Sequence, residues 1–255
     1  MSTTTADPIR IRTYRPEDFP EVKRLFYEGM AYGPETPAVH SARAVRKSPV
    51  SILAYLTSAL SIWFIHRTKR IPPRLRILGT LFAGGSILSY LLWIFRTSRK
   101  MMVAYCDQCL REDLKDITKH YQLAPVQDGS GDYEPVGAGC FWVAERQSES
   151  KNRPEIVGCI GLDNSDGSSV GELRRLSVSR RERKSGIGSR LVQALTTFAQ
   201  QKGLSSLRLT TSQFQPAALN LYLKRGWEIT KTVNFEVDVF PVTFDMHTVE
   251  YTLQR

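Results

Sequence analysis

Residues 180–191, RRERKSGIGSRL, combine five cations with a Gly-x-Gly turn just before an amphipathic helical pattern. Glycines at the start of a helix leave backbone N–H groups open to a ligand, and the helix dipole adds positive potential there. The side chains of Arg183 and Lys184 would raise that potential further. The segment therefore predicts the binding of an anion, such as a phosphate or diphosphate, at a helix N-terminus.

Two familiar phosphate-binding patterns and a nucleic-acid surface are excluded. The chain has no GxxxxGK[ST] sequence at this turn, and a dinucleotide fingerprint needs a third glycine and an acid after the next strand. Of the 35 Lys and Arg residues, 11 lie within 41–100, where there is no Asp or Glu. The rest of the chain therefore has 24 basic and 25 acidic residues. The net charge of +10 thus belongs to one segment, and no nucleic-acid partner is expected.

Strand and helix patterns surround the turn. Residues 9–14 alternate like a strand, and a helical pattern follows them. Strand-like runs at 140–145, 155–162 and 171–179 are separated by polar turns and predict an antiparallel meander. A helix from about Ile187 to Lys202 and another from Pro216 to Gly226 follow, with strands between and after them. This order predicts one α+β (α/β) domain.

Two uncharged runs of 19 residues, 48–66 and 77–95, interrupt that domain. Each would form a helix about 28 Å long, close to the roughly 30 Å of bilayer hydrocarbon. Lys and Arg bracket both runs, and Trp63 and Trp93 lie near their ends. The sequence therefore predicts a membrane-associated hydrophobic helical hairpin. Two arrangements stay open: two short spans, or a shallow re-entrant hairpin, toward which the five linker cations lean.

The cysteines and histidines are not expected to carry the chemistry. Cys106 and Cys109 form a single CxxC without a second pair, so reduced structural thiols and no metal site are expected. His120 and His247 are expected to be satisfied surface residues, and Trp142 a core residue. The N-terminal stretch lacks the apolar core of a signal peptide.

The segment LSVSRRERKSGIGSRLVQAL resembles the acyl-CoA-binding motif of GNAT-superfamily acetyltransferases, a strand followed by [Q/R]-x-x-G-x-[G/A] and a helix. Arg183, Gly186 and Gly188 fill its defined positions. The later AALNLYLKRGWE is similar to the family's second motif, a Leu-Tyr helix followed by Gly-aromatic. The apolar insert, with CFWVAE, DITKHY and TVEYTL, is similar to the membrane-bound camello-like group, which includes cysteine-S-conjugate N-acetyltransferases and aspartate N-acetyltransferase. The resemblance implies a GNAT-like mixed, mostly antiparallel central sheet flanked by helices.

The resemblance also implies acetyl-CoA as co-substrate and no metal. Its diphosphate would lie on backbone N–H groups of the turn, and the preceding strand would offer backbone groups to the pantetheine arm and the thioester oxygen. Many relatives carry Asn where this chain has Gln215, a change that the camello-like group tolerates. The implied cofactor-binding residues are Leu176, Ser177, Val178, Arg183, Lys184, Ser185, Gly186, Ile187, Gly188, Ser189 and Gln215.

Catalysis would rest on an acid and a base. Tyr222 matches the family tyrosine that protonates the departing thiolate. Strand alternation predicts that Glu172 shares a face with Leu176, where its carboxylate would accept the ammonium proton through water. Arg174, on the face of Glu172, or Arg175, on the opposite face, would instead grip a substrate carboxylate. The sequence does not choose between these alternatives.

The expected organisation is an N-terminal part of the acetyltransferase domain (8–44), a membrane-associated hairpin insert (45–100) and the main core with the acyl-CoA site (101–255). Because residues 9–14 should join the sheet formed after Cys140, both ends of the insert lie on one side of the membrane. Acetyl-CoA and reduced thiols favour the cytosolic face, and the resemblance implies the endoplasmic reticulum. The lipid bilayer is thus an expected partner, through residues 48–95.

The expected function is a membrane-anchored, acetyl-CoA-dependent N-acetyltransferase that modifies a small amino-acid-like amine such as a cysteine S-conjugate. Protein lysines or N-termini are alternative acceptors. A non-catalytic acyl-CoA-binding membrane protein is the alternative class. The oligomeric state is left open.

Overall fold

The computed structural model describes residues 9–147, 154–237 and 239–253. The strands are β1 (Ile9–Thr13), β2 (Leu123–Pro125), β3 (Tyr133–Pro135), β4 (Cys140–Arg146), β5 (Glu155–Asp163), β6 (Val170–Val178), β7 (Ser206–Ser212), β8 (Glu228–Val237) and β9 (Phe240–Thr252). The helices are α1 (Phe19–Tyr27), α2 (Pro37–Arg46), α3 (Pro49–Arg67), α4 (Pro73–Arg111), α5 (Ile117–His120), α6 (Ile187–Gln201) and α7 (Pro216–Leu223). A π-helical turn, Glu28–Tyr32, continues α1.

Seven strands form one sheet in the order β1-β4-β5-β6-β7-β9-β8, and β2 pairs with β3 apart from it. Neighbouring strands are antiparallel except β6 and β7, which are parallel. Strand β1 pairs with β4 from Ile9↔Arg146 to Thr13↔Trp142. The strand before the insert therefore joins those after it, and the predicted mixed, mostly antiparallel sheet is confirmed.

Helices cover both faces of the centre of the sheet. Six of the seven residues of β4 are buried, so neither face of this strand meets solvent. The Trp142 ring packs edge-on against Phe198 of α6 with 5.2 Å between ring centroids, which confirms its place in the core. The absence of a side chain at Gly158 of β5 lets α6 pack closely on the sheet, because a Cβ added there would lie only 3.1 Å from Leu191 of α6. Helix α1 buries Val22, Leu25 and Phe26.

Strands β6 and β7 separate toward their carboxyl ends. Their ladder covers only three pairs, from Val170↔Ser206 to Glu172↔Arg208. Beyond this point β6 stays paired with β5 as far as Val178, while β7 stays paired with β9 as far as Ser212. Among the residues that the structure describes, the facing edges of the two strands therefore have no strand partner there, and a wedge opens between them.

A β-bulge interrupts β6 inside the wedge. The register with β5 passes from Gly161↔Arg174 to Cys159↔Ser177, so Arg175 and Leu176 together oppose Ile160. Arg175 has φ +58°, in the left-handed region that residues with a side chain rarely adopt. A bulge inserts one residue, so the alternation of faces before it does not continue after it.

Helices α3 and α4 form the predicted apolar hairpin. Both are long and apolar enough to cross a membrane, and only 6 % of the most apolar 18-residue window of each is buried. Helix α4 runs unbroken for 39 residues, so it crosses the expected boundary at residue 100 and ends inside the domain, where Cys106 and Cys109 are buried. At the base of the helical hairpin, the hydroxyl of Ser51 on α3 lies 2.9 Å from the hydroxyl of Tyr90 on α4. Helix α2, which the sequence patterns did not predict, packs beside this base.

Candidate acyl-CoA and acetyl-transfer site

The Gly-x-Gly turn begins helix α6 as the sequence predicts. Gly186 is the residue that caps the helix, and its φ of +86° requires the conformational freedom of glycine. As a glycine, Gly186 has no side chain that could accept a hydrogen bond from the first turn of α6. The first backbone N–H groups of the helix have no partner within it. They are therefore available to an anion.

Three elements converge at Gly188. A Cβ added there would lie 3.3 Å from Leu221 of α7 and 3.7 Å from Val178, the last residue of β6. The start of α6 is thus next to the open end of the wedge and to the helix that carries Tyr222. A side chain at this position would fill the space above the free N–H groups, so the residues present fit a bound diphosphate.

The cations before the turn lie beside a cavity of about 1440 Å³ between α1 and the β6–α6 loop. Within the described part of the chain, Arg180, Arg181 and Arg183 form no ion pair, whereas the cavity residue Arg24 is paired with Glu21 and Glu28. Glu182, the one acid of the loop, accepts a hydrogen bond from Arg146. The loop therefore presents unpaired positive charge to the cavity.

Two of the predicted cofactor-binding residues, Val178 and Arg183, line this cavity, whereas the glycine turn lies at its side. Ser177 is buried opposite Gly29, where an added Cβ would lie 3.8 Å from the serine hydroxyl oxygen. Leu176 packs against the core. The cavity and the wedge thus meet at the end of β6.

Tyr222 is buried on α7, and its ring lies 5.6 Å from that of Trp227. Burial raises the pKa of its phenol, so the hydroxyl stays protonated at neutral pH. The hydroxyl makes no hydrogen bond to any residue that the structure describes. A protonated phenol without a partner is suited to donate its proton to a developing thiolate.

Gln215 lies just before α7 and joins two elements across the mouth of the wedge. Its Oε1 accepts a hydrogen bond of 3.0 Å from the Thr211 hydroxyl of β7. Its Nε2 lies 3.6 Å from the Met30 sulfur, at the end of the α1 segment. In the structure Gln215 therefore closes the rim of the wedge through its side chain.

The argument that placed Glu172 on the face of Leu176 is wrong. It assumed unbroken alternation along β6, whereas the bulge at Arg175 inserts a residue between the two positions. Glu172 pairs with Arg208 at the closed end of the wedge and accepts a hydrogen bond of 2.8 Å from Arg174. The geometry therefore does not support Glu172 as the general base.

Glu172→Gln should accordingly leave kcat within about twofold of the parent value, because a general base would contribute a factor of 100 or more. Steady-state kinetics at saturating acetyl-CoA measure this directly. A loss of 100-fold or more in kcat, with the fold intact, would restore Glu172 to the catalytic machinery.

The two arginines of β6 already have partners. Arg174 bonds to Glu172 and lies 3.1 Å from Asp163, which confirms that Arg174 and Glu172 share a face. Arg175 points to the other side, toward α4, and donates to the buried carboxylate of Asp113. Its Nη1 also lies 2.9 Å from the Cys109 sulfur. Neither side chain is free to grip a substrate carboxylate in this structure.

Sequence reasoning missed Asp113 and Tyr121, which complete the environment of Arg175. The Tyr121 hydroxyl donates to Asp113 at 2.6 Å, and both residues are buried. Burial alone would raise the pKa of Asp113, but the hydrogen bonds and charge of Arg175, with the Tyr121 hydroxyl, lower it. In the sequence, Asp113 stands within a charged run, REDLKD, and has the pattern of an exposed helix end.

The histidines behave as predicted surface residues with partners. His120 Nε2 lies 3.1 Å from Asp163, and His247 Nδ1 lies 3.0 Å from the Thr232 hydroxyl. The four cysteines are buried and free.

A parallel pair of strands that splays beside a glycine-started helix and a buried tyrosine defines an acetyltransferase of the GNAT type. The Acetyltransferase (GNAT) family profile matches residues 106–227. Human N-acetyltransferase 8B is 32 % identical over 248 residues, which cover 96 % of this chain and 94 % of that protein. The probable N-acetyltransferase camello of Xenopus tropicalis is 26 % identical over 94 % of this chain and 93 % of its own length.

The N-acetylaspartate synthetase of Xenopus tropicalis is 24 % identical over 91 % of this chain and 74 % of that protein. The chain belongs to the GNAT family of acetyltransferases, in the group that contains N-acetyltransferase 8B and camello. It is therefore an N-acetyltransferase, and the GNAT family uses acetyl-CoA as its co-substrate.

Proposed function

We propose that this enzyme transfers acetyl from acetyl-CoA to the amine of a small amino-acid-like molecule while anchored to a membrane. The observation that carries the proposal is the convergence at Gly188, where the open wedge, the free N–H groups of α6 and the Tyr222 helix meet. Binding, orientation and proton donation are thereby available within one site.

Each part of the site has a distinct role. Backbone N–H groups at the start of α6, from Gly186 to Ser189, hold the diphosphate and are reinforced by the loop cations, whereas the N–H groups of Arg183 and Ser185 donate to the carbonyls of Arg180 and Glu182. The unpaired edge of β6 over residues 176–178 orients the pantetheine arm and directs an N–H group to the thioester oxygen, where negative charge develops. Tyr222 supplies the proton that the departing thiolate takes up.

Tyr222→Phe should lower kcat by about 100-fold or more, while the Kd for acetyl-CoA changes little. The reason is that the phenol acts only when the carbon–sulfur bond breaks, whereas the ring still fills the same buried space. Turnover assays and equilibrium titration with acetyl-CoA separate the two effects. Equal activity in the variant would remove Tyr222 from the acid role.

The acceptor class is proposed from the similarity of this chain to a relative whose name states its product. The name of one relative states that it makes N-acetylaspartate, and that protein aligns with most of this chain. A small amino-acid-like amine is therefore the favoured acceptor class. A cysteine S-conjugate is the favoured member, because an apolar S-substituent partitions near the membrane that the hairpin contacts.

A mass-spectrometric screen tests the acceptor. Purified full-length enzyme is offered acetyl-CoA with aspartate, S-benzylcysteine, free lysine and lysine-containing or N-terminal peptides. Tyr222→Phe serves as the control for enzyme-independent acetylation. Acetylation of S-benzylcysteine above the other acceptors supports the proposal, and a preference for peptides would overturn its acceptor part.

We also assign residues 48–95 to the bilayer, with the catalytic domain on the cytosolic face of the endoplasmic reticulum. Helices α3 and α4 are exposed over their apolar windows, unlike the buried core helix of a soluble protein. Replacing residues 53–88 by a Gly/Ser linker keeps Ser51, Tyr90 and Ile94 at the base. Release of this variant from microsomal membranes into the soluble fraction is expected, and continued pelleting with lipid would contradict the anchor.

A further inference from the structure

A second apolar surface lies beside the base of the helical hairpin. Residues 233–237 and 239–242, where β8 turns into β9, form what is here called the β8–β9 tip. The tip exposes Val233, Phe235 and Val239, with 37 %, 47 % and 49 % of their respective surfaces accessible. Strand β8 is also the last strand of the sheet, so within the described residues its outer edge has no strand partner.

The β8–β9 tip packs against the base of the helical hairpin. The Phe240 ring packs edge-on against Trp93 of α4 with 5.3 Å between centroids. Phe240 shares a small buried cluster with Ala42, Val45 and Ile94. Val237 pairs with Phe240, and Phe235 stands two residues before Val237, so the exposed Phe235 belongs to the same turn region whose Phe240 contacts Trp93.

Trp93 marks the level at which the hairpin leaves the bilayer. It stands near the end of the uncharged run 77–95, and Arg96, Arg99 and Lys100 follow. Indole rings favour the boundary between hydrocarbon and headgroups, and cations just beyond it favour anionic headgroups. The β8–β9 tip therefore lies at headgroup level if the hairpin is inserted.

The charges around the tip agree with a lipid surface. Helix α2 contacts β9 and ends with Arg43 and Arg46, with Lys47 next in the chain. Within the part of the chain that the structure describes, these cations and those at 96, 99 and 100 form no ion pairs, although Arg99 stacks over the Tyr32 ring at 4.1 Å. Six cations without ion pairs among the described residues thus lie on the two segments that pack beside the tip, α2 and α4, whereas the described part of the tip carries one acid, Glu236.

We propose that the β8–β9 tip is a second membrane contact, which rests in the headgroup region of the bilayer that holds α3 and α4. This inference rests on the proposed membrane anchor. Two contacts at separate points fix the tilt of the catalytic domain on the surface. Three stacked rings connect the tip to the wedge. The centroids of Phe235 and Phe244 are 5.9 Å apart, and those of Phe244 and Phe214 are 5.5 Å apart. Phe214 is next in the chain to Gln215 at the wedge rim.

Depth-dependent fluorescence quenching tests this contact in the full-length protein. Val239→Cys, Val136→Cys and Leu81→Cys are each labelled with an NBD fluorophore and placed in phosphatidylcholine/phosphatidylserine nanodiscs. Nitroxide lipids carry the quencher either at the headgroup or deep in the acyl chain. The four native cysteines are buried, and burial raises the pKa of Cys106, Cys140 and Cys159 to about 12, which favours labelling of the introduced thiol.

Val136 is the matched control, since it is also an exposed valine but follows β3, in the two-stranded sheet that is separate from β8 and β9. We expect the label at 239 to be quenched by headgroup nitroxide at least threefold more than the label at 136. Adding Phe235→Glu to the 239 variant should reduce that quenching.

Other outcomes overturn the inference in distinguishable ways. If the label at 81 is quenched by the deep nitroxide while 239 behaves like 136, the anchor stands and the second contact is wrong. If 81 is not quenched, the anchor itself fails, and the inference fails with it. If 239 is not quenched and Val233→Cys cross-links two protein copies, the edge of β8 pairs with a second copy instead.

Discussion

Gly188→Glu should weaken the affinity for acetyl-CoA by at least about 100-fold, because a carboxylate within about 4 Å of a diphosphate repels it strongly. A Cβ added at this position would lie 3.3 Å from Leu221 and 3.7 Å from Val178, so the new side chain would stand where α6 begins, beside its free N–H groups. Isothermal titration with acetyl-CoA measures the loss.

Two variants separate charge from bulk in this experiment. Gly188→Ala adds only the Cβ, against the flexible end of Leu221, and should cost less than about tenfold in affinity. Gln193→Glu adds the same charge at an exposed position on the same helix and should leave affinity unchanged. If Gly188→Glu binds acetyl-CoA as the parent does, the start of α6 is not the diphosphate site.

The parts of the site that depend on local sequence could be predicted from it. Gly186 and Gly188 follow a strand and precede an amphipathic helix, and that order alone specifies a glycine turn at a helix start. The structure places Gly186 in the left-handed conformation that such a turn needs. The predicted core role of Trp142 follows for the same reason, since it stands in a short, almost wholly apolar run.

The parts that depend on long-range packing could not be predicted. The apolar run 77–95 predicted a helix of 19 residues, yet helix α4 extends from Pro73 to Arg111 because the cations at 96–100 do not interrupt helical propensity. The bulge in β6 could not be predicted either, since there is no glycine or proline in the sequence at the bulge that would indicate it. Its position is set by partners far away in sequence, and the placement of Glu172 failed with it.

The contacts of Arg175 with residues far away in sequence explain why the bulge in β6 contains an arginine. The Arg175 side chain leaves β6 at a left-handed residue and reaches Asp113, 62 positions earlier in the chain, with Tyr121 completing the contacts of the carboxylate. The bulge thus lies where the end of α4 touches the wedge strand. One buried ion pair thereby joins the apolar helical hairpin to the candidate acyl-CoA site.

Asp113→Ala should lower the free energy of unfolding by about 3–5 kcal/mol, because it leaves the Arg175 guanidinium buried without its counter-charge. The Asp113 side chain is fully buried and that of Arg175 is 9 % exposed, so water cannot replace the lost partner. In detergent-solubilised protein this corresponds to a fall in Tm of about 6–20 °C. Asp128→Ala, which removes an exposed carboxylate in a loop, is the control and should leave Tm unchanged.

The pH dependence gives this prediction a second readout. The pKa of Asp113 is lower in the folded protein than in the unfolded chain, so its contribution is complete at pH 7 and is lost as the pH falls below about 4. The difference in stability between parent and Asp113→Ala should therefore shrink on acidification. In a double-mutant cycle, Arg175→Met should cost much less in the Asp113→Ala background than alone. Additive effects would show that the pair does not hold the bulge against α4.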